Sequence, residues 1–108
     1  MTTSDLYGSR RDDIEALRSA AERALGVKFQ LHEYDWYGGD YLRTPQVGTE
    51  FFLLLHNRVV TPDGDEILEP EFPGYAVLLR VAGTERADEI RVHLTGIDEL
   101  DHLRRKVR

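Results

Sequence analysis

Gly26 marks the point where the hydrophobic period of this chain changes, and that change constrains the fold more than any other feature. Before it, Ile14, Leu17, Ala21, Ala24 and Leu25 recur at the spacing of one helical face. After it, Val27, Phe29 and Leu31 alternate with Lys28, Gln30 and His32, the period of a strand with one face buried. A chain carrying both periods is neither all-α nor all-β. Ser9 followed by Asp12 reads as an N-cap with an acid at N3. The spacing therefore predicts a helix over 10–25, ended by Gly26 in a left-handed conformation, and leaves residues 1–9 as a flexible N-terminal tail.

The first strand runs on through Glu33, Tyr34, Asp35, Trp36 and Tyr37 until Gly38 and Gly39 break it and open a loop through Thr44, Pro45 and Gly48. A second strand starts near Glu50, and its run Phe51 to Leu55 is apolar without alternation, as in a central strand covered on both faces. Pro62, Asp63, Gly64, Asp65, Pro70, Pro73 and Gly74 crowd residues 57–74 with turn formers, which reads as one long loop. Residues 75–82 form a third strand. Gly83 and Thr84 then cap a second helix lined by Ala87, Ile90 and Leu94 and stopped by Gly96.

In the tail, Ile97, Leu100, Leu103 and Val107 fit a helix, while Leu103, Arg105 and Val107 fit an edge strand. The strand, over 102–107, is the favoured reading, laid parallel to a neighbour by a right-handed crossover through the second helix. The expected fold is α+β: a mostly antiparallel sheet of three or four strands with two helices, or three if the tail is helical. Its order is α-β-β-β-α followed by β or α, in a single domain over 10–108.

At 108 residues one hydrophobic core is the usual arrangement. The absence of cysteine removes disulfides, thiolate zinc sites and cysteine nucleophiles as options. The longest apolar run, Phe51 to Leu55, is far short of a membrane span, and the first residues carry no apolar signal region, so a cytoplasmic location is expected. A net charge of −6 disfavours nucleic acid and anionic membranes as partners and favours a neutral or basic protein. The excess of 12 arginines over 2 lysines carries no functional reading.

The charge is uneven. Residues 30–79 hold nine acids and two bases, a net of −7, whereas the remainder is +1. The same segment contains Trp36 and four of the five tyrosines. Aromatics with a polar tip beside carboxylates suit a protein-binding surface, because they bury large area at little rotamer entropy. The candidate partner-binding residues are Asp35, Trp36, Tyr37, Asp40 and Tyr41, with Asp63, Asp65, Glu66 and Glu69 from the acidic loop. The structural alternative is that these aromatics cover the second face of the sheet and the acids are a solvated surface.

No catalytic, metal or cofactor site is expected. His32, Glu33, Asp35 and His56 are weighed as metal or acid-base candidates, on the idea that neighbouring strands bring the two imidazoles together. They lack the zincin spacing, because the fourth position after His32 is Trp36. Asp63, Gly64, Asp65 and Glu66 lack the ligand alternation of a calcium loop and read as a β-turn. Ser4, Ser9 and Ser19 sit in no nucleophile elbow. Gly38 and Gly39 precede neither a helix nor a lysine, so they do not cradle a phosphate. Arg104, Arg105, Lys106 and Arg108 form a basic end that reads as a solvated terminus.

The stretch Tyr37, Gly38, Gly39, Asp40, Tyr41, the apolar strand ending in Asn57, the acidic loop and the strand Tyr75 to Val81 together resemble small bacterial proteins, some of them immunity proteins of polymorphic toxin systems. The resemblance spans residues 10–107. It implies a cytoplasmic protein with no chemistry of its own that neutralises one toxin domain by stoichiometric binding over a basic surface. The competing expectations are a small structural or adaptor domain acting through self-association or assembly, and a small-molecule binder or enzyme using His32 and His56.

Overall fold

The structure, a computed structural model, describes residues 1–34 and 39–108. Its elements run β1 (Thr3–Ser9), α1 (Ile14–Leu25), β2 (Gln30–Tyr34), β3 (Gly39–Arg43), β4 (Phe51–His56), β5 (Arg58–Thr61), β6 (Gly64–Ile67), β7 (Val77–Thr84), α2 (Ala87–Leu94) and β8 (Leu100–Val107). Six strands form one antiparallel sheet in the order β2-β3-β4-β7-β1-β8, and β5 and β6 form a separate hairpin. The α+β class and the antiparallel sheet agree with the sequence reading. The strand number does not, because six strands replace the expected three or four.

Four extra strands, β1, β3, β5 and β6, arise where the sequence was read as tail or loop. Residues 1–9 are not a flexible tail: β1 lies between β7 and β8, paired to both. Ser9 consequently ends a strand, and the helix starts later than expected, with the Asp13 carboxylate accepting from the Ala16 N–H at 3.0 Å as the N-cap. The other end of α1 is as anticipated, with Gly26 at φ 67°. The break at Gly38 and Gly39 leads straight into β3, which returns alongside β2. Within the supposed loop 57–74, Pro62 and Asp63 connect β5 and β6 as a tight hairpin.

Gly83 and Thr84 close β7 rather than capping α2, whose N-cap position is Arg86. A Cβ on Gly83, at φ 60°, would collide with the Thr49 carbonyl, so the loop before β4 requires a glycine there. The tail is a strand, β8, as favoured. It runs parallel to β7 across the α2 crossover, but β1 inserts between them, so its actual neighbour is antiparallel.

Both helices lie on one face of the sheet. Leu17, Ala21, Ile90 and Leu94 pack there against Tyr7, Leu42, Phe52, Leu54, Val77, Leu79 and Val81. The alternate residues of the same strands face the other side, where Tyr41, Leu53 and Leu55 form a smaller cluster with Phe51 and Leu68. An irregular strap, residues 68–76, crosses this second face. Asn57, 2 % exposed, holds it: its amide N–H groups donate to the Phe72 and Tyr75 carbonyls and its side-chain oxygen accepts from the Glu69 N–H.

Candidate functional site

The expected binding segment falls on the β2–β3 hairpin at one edge of the sheet. Asp35, Trp36 and Tyr37 lie outside the described residues. On the flanking strands, Glu33 stands directly opposite Asp40 in the ladder, and both are exposed. Like charges directly opposite one another destabilise a strand pair. Next to them His32 stacks on Tyr41 with ring centroids 5.5 Å apart, and Leu31 on the edge strand is 63 % exposed. Tyr41 is buried against Leu53 and Leu55, so its ring supports the sheet face rather than projecting from it.

The acidic loop divides. Asp63, Asp65 and Glu66 are exposed around the β5–β6 hairpin, where Asp65 lies 3.7 Å from Arg58. Glu69 is turned inward. Its carboxylate accepts from Arg80 of β7 at 3.0 Å and from Arg104 of β8 at 3.0 and 3.1 Å. It therefore anchors the strap to the sheet and is not an exposed acid available to a partner.

His32 and His56 do not meet, because β3 separates their strands and the two side chains take opposite faces. His56 Nδ1 instead lies 3.8 Å from the Asp12 carboxylate, beyond hydrogen-bond reach, beside a hollow of about 330 Å³ bounded also by Arg58, Pro73 and Tyr75. Among the described residues no group of three His, Asp or Glu side chains is placed to hold a metal ion.

Sequence reasoning missed a second ionic centre, on the helix side. The Asp5 side chain is fully buried and accepts two hydrogen bonds from Arg105, at 2.9 and 3.0 Å, while Arg105 also donates to Asp88 of α2 at 2.7 Å. Those bonds hold Asp88 below the usual carboxylate range and push the Arg105 guanidinium up. The Tyr7 ring lies 4.9 Å from His102, and its buried hydroxyl has no hydrogen-bond partner among the described residues. Burial, followed by the nearby Asp5 charge, pushes Tyr7 up to about 12. These groups are closed over by α2 and knit β1 to β8. The only advance signal was the alternation Arg104, Arg105, Lys106, which in a strand sends neighbouring cations to opposite faces.

No protein-family model matches the chain, and no curated protein matches it. Among the described residues no helix is long and apolar enough to cross a membrane.

Proposed function

We propose that the protein is a stoichiometric protein-binding module of the immunity type, acting in the cytoplasm without chemistry of its own. Its β2–β3 edge covers a basic surface on a toxin domain. The observation that carries this reading is the Glu33–Asp40 pair. Folding alone disfavours two carboxylates directly across a ladder, whereas a basic partner turns the same pair into a benefit. The exposed Leu31 beside the pair supplies apolar area, and Asp63, Asp65 and Glu66 add the field that steers a basic partner. Asp35, Trp36 and Tyr37 belong to the same hairpin in sequence and complete the proposed surface.

The test exploits the opposed signs. Glu33→Gln should stabilise the isolated protein by about 0.2–1 kcal/mol in denaturant titration while weakening its complex. The partner is sought by affinity capture from the native host, with the Glu33→Lys, Asp40→Lys double variant as the parallel bait. A basic protein retained at one-to-one stoichiometry by the unaltered chain and lost from the double variant supports the reading. A partner held equally by both baits, or no partner at all, overturns it.

A further inference from the structure

The opposite edge of the sheet carries the opposite charge. Among the described residues β8 is paired on one side only, to β1. Thr2 and Arg108 exchange both backbone hydrogen bonds, at 3.0 and 2.8 Å, which sets the phase of the ladder. Counting back along the register from that pair, Lys106 and Arg104 also turn their backbone groups toward β1, whereas Val107 and Arg105 turn theirs outward. A strand added at this edge would hydrogen-bond to 105 and 107. It would place its own residues opposite 104, 106 and 108 at the closer, non-hydrogen-bonded spacing of about 4.5 Å between Cα atoms.

Those closer positions are all cationic, and they share the face away from the helices. Arg104, Lys106 and Arg108, with Arg80 behind them, border a hollow of about 320 Å³ floored by Leu6 and Leu53. Behind them the Glu69 carboxylate is already shared by Arg80 and Arg104. Lys106 and Arg108 form no ion pair among the described residues, although the chain as a whole is −6. Charged side chains on an edge strand ordinarily deter pairing. Here they deter a basic strand, including β8 of a second copy, and attract an acidic one.

We propose that the β8 edge takes up an extended acidic segment of another protein by strand addition, with carboxylates at alternate positions facing Arg104, Lys106 and Arg108. Main-chain bonds to 105 and 107 supply affinity and the alternating ion pairs supply direction and register. A second copy is a poorer occupant, because the described part of β2, the acidic edge of this fold, offers a single carboxylate, Glu33. This site is independent of the β2–β3 surface, so either can fail without the other.

The probe is a fluorescein-labelled octapeptide of alternating glutamate and valine, followed by fluorescence anisotropy at constant ionic strength. Saturable binding is expected. The exposed pair Lys106→Glu, Arg108→Glu should weaken it about tenfold or more with an unchanged unfolding midpoint. The same peptide N-methylated at alternate residues, which cannot bond a strand edge, should fail to bind. Val107→Pro, which removes an outward N–H and leaves the β1 ladder intact, should weaken binding about fivefold or more. The proposal is overturned if no saturable binding occurs, or if the N-methylated peptide binds equally and ion pairing alone suffices. Displacement by inorganic phosphate at matched ionic strength would overturn it in favour of a small-anion recess. Self-association in sedimentation velocity that the Lys106→Glu, Arg108→Glu variant abolishes would overturn it in favour of a second copy.

Discussion

On the helix side of the sheet, Leu54, Val77, Leu79 and Ile90 are fully enclosed beneath two amphipathic helices, whereas on the strap side Leu53 and Leu55 lie in a small cluster beside an irregular segment held by Asn57 and Glu69. The helix side is closed by apolar area contributed in a regular pattern. The strap side is closed by a few directional bonds: a buried amide binding three backbone groups, and a carboxylate shared by two guanidinium groups. Area-based closure tolerates small errors in placement, because burial energy is non-directional. Bond-based closure does not, since removing one partner leaves the others buried without compensation.

The largest expected effect tests the apolar half of that contrast. Leu54→Ala should cost about 3–5 kcal/mol, near the upper end for buried leucines, because helices and strands surround the site and cannot collapse into it. Its sequence neighbour Leu53 points to the strap side, and Leu53→Ala should cost about 2–3 kcal/mol as the strap relaxes inward. Paired denaturant titrations measure both. Equal losses would mean that the strap side is as rigidly packed as the helix side.

A smaller effect is expected from Glu69→Gln, which keeps the shape of the side chain while removing its charge from between Arg80 and Arg104. Both guanidinium groups are about one-third exposed and can turn to water, so the loss should be about 1–2 kcal/mol rather than the full cost of breaking an enclosed pair. Limited proteolysis should cut first within 68–76. Cleavage first at another site would show that Asn57 alone secures the strap.

The smallest effect concerns acid. Glu50 is held below its ordinary value of 4.5 chiefly by hydrogen bonds from Arg86, assisted by the Thr84 hydroxyl against the opposing effect of burial. Glu22 and Asp88, also on the helix side, are depressed as well, Glu22 first by the Phe29 N–H and Asp88 first by Arg105. A carboxylate whose folded value is depressed contributes stability that is fully present above its unfolded value and is lost as pH falls through the folded one. Stability should therefore decline below about pH 4.5. Glu50→Gln should make that decline shallower by up to about 1 kcal/mol. Urea midpoints at pH 7, 4 and 3 read this directly, and an unaltered slope in the variant would remove Glu50 as a contributor.

The candidate surface was legible only in part, for a related reason. Charge bias located Asp40, Asp63, Asp65 and Glu66, which are exposed as a solvated or partner-facing acid must be. It could not separate them from Glu69, an acid of the same segment whose partners, Arg80 and Arg104, lie 11 and 35 residues away. Nor could a tyrosine in an acidic stretch reveal that Tyr41 would be enclosed by Leu53 and Leu55 of another strand.

What the sequence by itself determined is everything written in one local period: the stop of α1 at Gly26, the buried line Ala87, Ile90 and Leu94 of α2, the apolar strand β4, and β7 near its true bounds, whereas the tail that became β8 fitted both a helix and a strand. Neighbours in sequence are neighbours in those elements, so the spacing of apolar residues is the geometry. Only the tertiary structure decided that the polar opening residues become β1, inside the sheet. Asp5 is fully buried there because Arg105, 100 residues on, satisfies its charge, and Gly8 is required because Tyr75 and Leu103 press close against its backbone. A buried carboxylate has no local signature. Its cost is cancelled by a distant partner, and that cancellation exists only once the two ends of the chain lie side by side.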